Sequence, residues 1–148
     1  AASSSGSIVL KDDFSFSNLD VKVSSSGNIK GNISGNNINI QASSSGDFYG
    51  DVITKTLNLQ TSSSGGINIK GKAENITAQA SSSGDIKAEN LTAENAVLTT
   101  SSSADITLGV SQSLTASASS SGDINVVKRG SLNKIMKNES SSGSVNIR

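Results

Sequence analysis

The stretch NITAQASSSGDIKAENL, residues 75–91, contains the pattern that decides the fold. One phase of a two-residue alternation holds small or apolar residues, namely Ile76, Ala78, Ala80, Gly84, Ile86 and Ala88. The other phase is polar from Thr77 to Lys87. A period of two is typical of a β-strand with one buried face and one face in water. The sequence therefore predicts strands whose inner faces are small and apolar.

The tetrapeptide SSSG recurs along the chain. Copies begin at Ser3, Ser24, Ser43, Ser62, Ser81, Ser119 and Ser140, and a variant, SSSA, begins at Ser101. The spacing between successive copies is regular without being rigid. A unit of this length is too short for a strand, a packed helix and two connections, whereas it suits one coil of a solenoid.

We therefore expect an all-β protein, a right-handed parallel β-helix (β-solenoid) of about seven coils with roughly 19 residues per coil. The right hand follows the usual preference of parallel crossovers. An antiparallel meander of short hairpins is the alternative. The segments KGKAEN (70–75), KAEN (87–90) and KRGSLN (128–133) are rich in charge, Gly and Asn and are expected to be turns.

Residues 1–148 are expected to form one solenoid domain with atypical ends. Residues 1–23 carry Phe14 and Phe16, and residues 124–148 place Lys137 and Glu139 at positions that are apolar elsewhere. Terminal units of solenoids differ from the others because they must cap the core. The chain begins inside the repeat pattern, which indicates a mature form or an excised fragment.

Continuing the alternation through SSSG places its second serine and its glycine inside the solenoid. The expected inner serines are Ser25, Ser44, Ser63, Ser82, Ser102, Ser120 and Ser141. On that register, Ser82→Lys should destabilise the protein far more than Ser83→Lys. The glycine column indicates a close approach of two coil walls.

Composition excludes several classes of function. Twelve basic and twelve acidic residues give a net charge of zero, so the chain lacks the basic field that nucleic acid or an anionic membrane would attract. No apolar run approaches the roughly 20 residues that span a bilayer, which argues against membrane insertion. The absence of His and Cys excludes catalytic Ser-His-Asp and Cys-His groups, as well as imidazole and thiolate metal sites.

The position after each glycine carries the first candidate site. Asp85, Asp105 and Asp123 fall there on three successive coils, so their carboxylates are expected about 5 Å apart. Carboxylates at that spacing raise each other's pKa or recruit a cation such as Ca²⁺. A carboxylate pair for glycoside chemistry is a second interpretation, and a solvated column of turn-favouring residues is a third.

The first and third serines of each copy form the second candidate site. They are expected to make two parallel files of hydroxyls on a flat wall that could bind sugars or ordered water, as at Ser43, Ser45, Ser62, Ser64, Ser81, Ser83, Ser101 and Ser103. Simple solubility is the other interpretation, although serine is a weak strand former.

The SSSGDI units, their spacing and the closing GSLNKIMKNESSSGSVNIR (130–148) resemble the family called putative auto-transporter adhesin, head GIN domain, with putative adhesin repeats of the SSGDI type close behind. The resemblance covers nearly the whole chain and corresponds to the later part of the family's typical length. It implies a right-handed parallel β-helix, export in secreted or surface proteins of Bacteroidetes, and an adhesive role. It brings no catalytic or ligand residues.

These observations predict a non-enzymatic binding module at the cell surface, associated with the outer membrane or in the periplasm. It would bind a cell-surface glycan or protein through many weak polar contacts along one wall. No cofactor is expected, apart from Ca²⁺ that could bind at the aspartate column. One alternative is a structural module that forms homo-oligomers through its exposed coil ends. The other is a polysaccharide-acting enzyme that uses Asp85, Asp105 and Asp123.

Overall fold

The computed structural model describes residues 1–11 and 13–148, and within these ranges it contains strands and no helix. No segment of this part is a helix long and apolar enough to cross a membrane. The strands are β1 (Ser7–Val9), β2 (Phe14–Val23), β3 (Asn28–Lys30), β4 (Ile33–Ala42), β5 (Asp47–Thr61), β6 (Gly66–Ala80), β7 (Asp85–Thr100), β8 (Asp105–Ser119), β9 (Asp123–Lys128), β10 (Lys134–Ser140) and β11 (Ser144–Ile147).

The strands stack in parallel with the repeat of the sequence as their step. All strand pairings among the described residues are parallel. β5 pairs with β6 from Asp47↔Gly66 to Thr61↔Ala80, with the same step as that between the SSSG copies at Ser43 and Ser62. The step is one residue longer at Ile76↔Ala96 and one residue shorter at Ala96↔Leu114. The predicted β-solenoid of about seven turns is therefore confirmed, and the antiparallel meander is wrong. The right hand stays a prediction.

The core consists of ladders of like residues along the solenoid axis. One ladder joins Ile29, Phe48, Ile67, Ile86, Ile106, Ile124 and Val145, and another joins Ile40, Leu59, Ala78, Leu98 and Ala116. All of these side chains are buried. Full burial of one large aliphatic side chain contributes about 1.5–3 kcal/mol, so a narrow core of this kind gains its stability by repetition. The alternation predicted from Ile76 to Ala88 is confirmed outside the serines.

The second serine of each copy lies outside the core, which corrects the predicted register at this position. Ser25, Ser44, Ser63 and Ser82 are exposed, as are the equivalent serines of the other copies, Ser102, Ser120 and Ser141. Each has a positive φ, for example 60° at Ser82, and occupies the first central position of a tight turn. The N–H of Gly84 closes that turn on the carbonyl of Ser81 at 3.1 Å. The turn places both central serines outward, and the alternation resumes in its original phase at Gly84, so the predicted contrast between Ser82→Lys and Ser83→Lys is wrong.

The glycine of the turn faces inward, as predicted, and it lies against the backbone of the preceding coil. A Cβ added to Gly65 would lie 2.6 Å from the Ala42 carbonyl group, and one added to Gly143 would lie 2.5 Å from the Ser119 nitrogen. Contacts this short with backbone cannot be relieved by rotating a side chain. The glycine column thus sets how closely the coils stack at this corner.

Two of the three segments expected to be turns belong to strands. Residues 70–75 lie within β6 and residues 87–90 within β7, whereas residues 129–133 lie outside the strands. In the first two segments the chain bends at a shift of the β6–β7 register between Asn68 and Gly71, where β7 has one extra residue. Gly71 has a φ of 119°, and its hypothetical Cβ would lie 2.2 Å from the Val52 carbonyl oxygen. Bulges and one glycine therefore replace the predicted turns.

The C-terminal end of the core is covered by two charged side chains. Lys137 and Glu139 are in register with the inward Ala116 and Ala118. The Lys137 Nζ donates to the carbonyl oxygen of Val145 at 2.6 Å, and the Val145 N–H donates to Glu139 Oε1 at 2.6 Å. These bonds join β10 to β11 across the end of the solenoid. At the N-terminal end, Phe14 and Phe16 stack with ring centroids 6.0 Å apart and remain 38% and 37% exposed.

Candidate functional site

The three serines of each copy form a continuous ridge of turns, which we call the serine ridge. The third serines are exposed in every copy, and the first serines of the six inner copies are half-buried. The hydroxyls predicted to lie outward at Ser43, Ser45, Ser62, Ser64, Ser81, Ser83, Ser101 and Ser103 are therefore at least partly exposed, although they lie on a corner of turns instead of a flat strand wall. The exposed second serines add a third file of hydroxyls that the predicted register placed inside.

Main-chain hydrogen bonds hold the ridge in register. The N–H of Ser45 donates to the Ser25 carbonyl, that of Ser64 to Ser44, and that of Ser83 to Ser63, each at 2.8 Å. The pattern changes at the C-terminal end, where the Ser121 N–H donates to the Ser141 carbonyl and both central residues of the last two turns have positive φ. The regular part of the ridge therefore extends from the first turn to the turn at Ser102 and Ser103.

The aspartate column is assembled as predicted at the level of register. Asp85 pairs with Asp105 and Asp105 with Asp123 on β7, β8 and β9. The Ser144 Oγ donates to Asp123 Oδ1 at 2.6 Å, and Lys87 Nζ lies 3.7 Å from Asp85 Oδ2. Two of the three carboxylates thus have polar partners on the solenoid surface.

Asp105 lies between the other two carboxylates. Partial burial, followed by the negative charge of Asp85, raises the pKa of Asp105 above its usual value of 3.8. The negative charge of the Asp123 carboxylate raises this pKa further. A hydrogen bond from the Asp123 backbone N–H and the positive charge of Lys87 lower it. Among the described residues, no group of three or more carboxylates is arranged to hold a metal ion. A calcium site at this column, like the glycoside chemistry, stays a prediction.

A groove that the sequence pattern did not predict follows the face next to the aspartate column. It has a volume of about 1040 Å³ and runs along the solenoid axis over several coils. Its outward column is Val9, Lys30, Tyr49, Asn68, Lys87 and Thr107, each in register with the next. Asn32, Asp51, Lys70 and Glu89 line its other side. We call this feature the lysine–tyrosine groove.

Two glycines shape the floor of this groove. Gly31 and Gly50 occupy the equivalent position in successive coils, and a Cβ on Gly50 would lie 1.8 Å from the Gly31 carbonyl oxygen. The Gly31 N–H donates to the Tyr49 carbonyl at 3.0 Å. A glycine at the same position of two adjacent repeats, KGN at 30–32 and YGD at 49–51, is the sequence signal that could have indicated the bend.

Charges along the groove are partly compensated. Lys70 Nζ lies 3.3 Å from Asp51 Oδ2, and Arg148 lies 3.2 Å from Glu89 Oε1. Tyr49 presents its ring to solvent, with 42% of the residue exposed. The groove thus combines an aromatic surface, amides and ammonium groups within a few coils.

Amide ladders occupy the wall formed by β2, β4 and β5. Asn37 Nδ2 donates to Asn18 Oδ1 at 2.8 Å, Asn39 Nδ2 to Asp20 Oδ1 at 2.6 Å, and Asn58 Nδ2 to Asn39 Oδ1 at 2.7 Å. Each amide is satisfied by its counterpart one coil away. The arrangement stabilises coil stacking, and the repeat pattern of the sequence did not predict it.

A comparison with curated proteins finds no match to this chain. Among solved structures, it is similar to a crystal structure described as a putative lipid binding protein from Parabacteroides distasonis ATCC 8503, with a TM-score of 0.77 and 23% sequence identity. The similarity covers 96% of this chain and 60% of that protein, so the chain spans about 60% of its length. At this identity the comparison shows a shared fold.

The sequence model of one family matches residues 1–49 and, in a second and overlapping match, residues 28–130. Together these matches cover most of the chain and confirm the resemblance carried by the SSSGDI repeats. The chain belongs to the family described as putative auto-transporter adhesin, head GIN domain.

Proposed function

We propose that the protein is a non-enzymatic, exported binding module of the adhesin type. The observation that carries the proposal is the serine ridge, a surface of hydroxyls that main-chain hydrogen bonds hold in register from the first turn to the turn at Ser102 and Ser103. Membership of a family named for auto-transporter adhesins supports both the binding role and export to the cell surface.

Binding through the ridge would be multivalent. Each hydroxyl offers one donor and two acceptor positions, and equivalent hydroxyls recur at the spacing of parallel strands, about 4.8 Å. A single hydroxyl contact contributes little in water, but a repeating ligand engages several coils at once and gains affinity from effective concentration. A glycan or a protein with repeated polar groups on the target cell fits this surface.

A glycan-array screen tests the proposal, with and without Ca²⁺. The variant Ser45→Lys/Ser64→Lys/Ser83→Lys/Ser103→Lys changes exposed third serines, and the matched control Gln41→Lys/Gln60→Lys/Gln79→Lys adds similar charge to another wall. We expect binding by the wild type and the control and its loss in the ridge variant. Dependence on Ca²⁺ would assign the aspartate column a role, and no binding to any glycan or exposed cell surface would refute the proposal.

A structural module that assembles through coil ends is the second candidate. It is favoured by the N-terminal end, where Phe14 and Phe16 remain over one third exposed and β2 pairs on one side with β4. Unpaired strand edges are templates for association. Light scattering over a range of concentrations checks this candidate. Mass that rises with concentration in the wild type and less in Phe14→Ser/Phe16→Ser supports it, and a constant monomer mass contradicts it.

A further inference from the structure

We infer that the lysine–tyrosine groove binds a linear acidic polysaccharide, with its sugar rings along the solenoid axis. This inference rests on the proposed binding function and names a ligand class and a site for it. The groove crosses several coils and is open to solvent, which suits an extended polymer more than a compact small molecule.

The positions of Lys30, Tyr49 and Lys87 carry the inference. Lys30, Tyr49 and Asn68 are in register on neighbouring strands, and Lys87 follows one coil further on. With about 4.8 Å between coils, one lysine lies about 5 Å from the tyrosine along the axis and the other about 10 Å on the opposite side. A sugar ring stacked on Tyr49 would have its neighbours on both sides within reach of an ammonium group.

The charge pattern favours acidic sugars over neutral ones. The two carboxylates that line the groove, Asp51 and Glu89, already pair with Lys70 and Arg148 at 3.3 and 3.2 Å. Lys87 pairs with Asp85 at a longer distance of 3.7 Å and is largely exposed, and Lys30 is exposed. The ammonium groups that flank Tyr49 are therefore the charges most available to a ligand carboxylate.

The packing of the solenoid argues against a lipid in the same groove. The inward positions beneath it are filled by buried side chains such as Ile69, Ala88 and Leu108. An acyl chain would consequently lie in the open, water-filled groove and could not enter the core beneath it. The asparagines that line the groove, Asn32, Asn68 and Asn90, instead supply donors and acceptors suited to sugar hydroxyls.

Titration of the protein with polygalacturonate, using neutral dextran as the comparison polymer, tests the inference. We expect Lys30→Gln/Lys87→Gln and Tyr49→Ala each to weaken binding by at least about tenfold, and Tyr49→Phe to bind like the wild type. Lys55→Gln/Lys72→Gln, which removes two exposed lysines on another face, should have less than about a twofold effect. Binding should also weaken between low and high salt, because exposed charges are screened.

Several outcomes would overturn the inference while leaving the proposed function intact. These are no binding of polygalacturonate by a wild type that binds other glycans, equal binding of dextran, and unchanged affinity in the groove variants. If the serine-ridge variant loses polygalacturonate binding and the groove variants keep it, the binding site is the serine ridge. Binding of anionic phosphatidylglycerol vesicles in preference to polygalacturonate would indicate a lipid ligand. A protein that binds no glycan at all refutes both statements.

Discussion

Serine is an unusual choice for the first central position of the turns. At Ser82 and its equivalents φ lies near +60°, a conformation that costs an L-residue roughly 1–2 kcal/mol and that glycine adopts freely. The turn nevertheless keeps a side chain there in every copy. The retained hydroxyl is consistent with the binding role proposed for the serine ridge, because glycine would satisfy the backbone at lower energetic cost.

The positive φ gives a prediction at Ser82. Ser82→Val should lower the free energy of unfolding by about 1–2 kcal/mol because a β-branched residue is strained at φ > 0, whereas Ser82→Gly should equal or exceed the wild type. Ser83→Val is the matched control, since Ser83 is exposed and has an ordinary φ. Urea denaturation measures all three, and equal losses at Ser82 and Ser83 would contradict the turn assignment.

Thr61 and Thr100 carry buried hydroxyls without a hydrogen-bond partner in the described part of the chain. Each residue faces inward, beside the glycine of a turn one coil further on, and is 1% exposed. An unsatisfied buried hydroxyl costs about 1–3 kcal/mol. Valine has nearly the same shape and no polar atom, so it should pack in the same space.

Thr61→Val and Thr100→Val should therefore each raise the free energy of unfolding by about 1 kcal/mol. Thermal and urea unfolding of the single and double variants measure the change. Thr99→Val is the control, because Thr99 is exposed on the same strand. Destabilisation by both core substitutions would show that the hydroxyls have partners after all.

At the scale of elements, the last strands show how the solenoid ends. β10 is exposed along its whole length, and its inward positions carry Lys137 and Glu139 in place of the alanines of β8. These two side chains satisfy the backbone of Val145 on β11 and cover the end of the core. Polar caps of this kind also discourage a further strand from adding at the edge.

Removing the cap should loosen β11. Glu139→Ala leaves the Val145 N–H without its acceptor and should cost about 1–3 kcal/mol. Hydrogen exchange should become faster at the amides of β10 and β11 while those of β5 to β7 change little, since a solenoid opens from its ends. Asn138→Ala, an outward neighbour, is the control. If the amides of β10 and β11 exchange in Glu139→Ala at the same rate as in the wild type, the contact between Glu139 and Val145 does not hold this end closed.

At the scale of the molecule, each coil contacts mainly the coils beside it. β5, β6 and β7 pair in sequence, with the step of one repeat throughout. Stability should then be close to a sum of coil energies and interface energies between neighbours. Deletion of one entire repeat should consequently destabilise the fold less than deletion of part of a repeat.

Deletion of residues 62–80 should leave a folded solenoid that is one coil shorter. The deletion joins Thr61 to Ser81 and brings β5 against β7 in the same register, so the β-sheet circular dichroism spectrum should persist. The urea m-value should fall by about one seventh, in proportion to the surface buried on folding. Deletion of residues 62–71, half a coil, is the control and should abolish cooperative unfolding. Equal damage by both deletions would contradict the repeat architecture.

The class of fold, the repeat and most of the core follow from local patterns in the amino-acid sequence. Alternation such as Ile76, Ala78 and Ala80 is local, and it predicts which side of a strand is buried without knowledge of what covers it. The regular spacing of SSSG predicted the step between stacked coils, and the unusual Lys137 and Glu139 indicated a cap.

The orientation of the serines and the position of the groove depend on contacts between coils. Whether Ser82 points inward depends on φ in the turn, which is stabilised by a hydrogen bond between Ser83 and Ser63 one coil away. The groove likewise joins Lys30, Tyr49 and Lys87, residues from different repeats, at a bend formed by Gly31 and Gly50. Contacts between coils are set by stacking and main-chain pairing, and a pattern read within one repeat does not contain them.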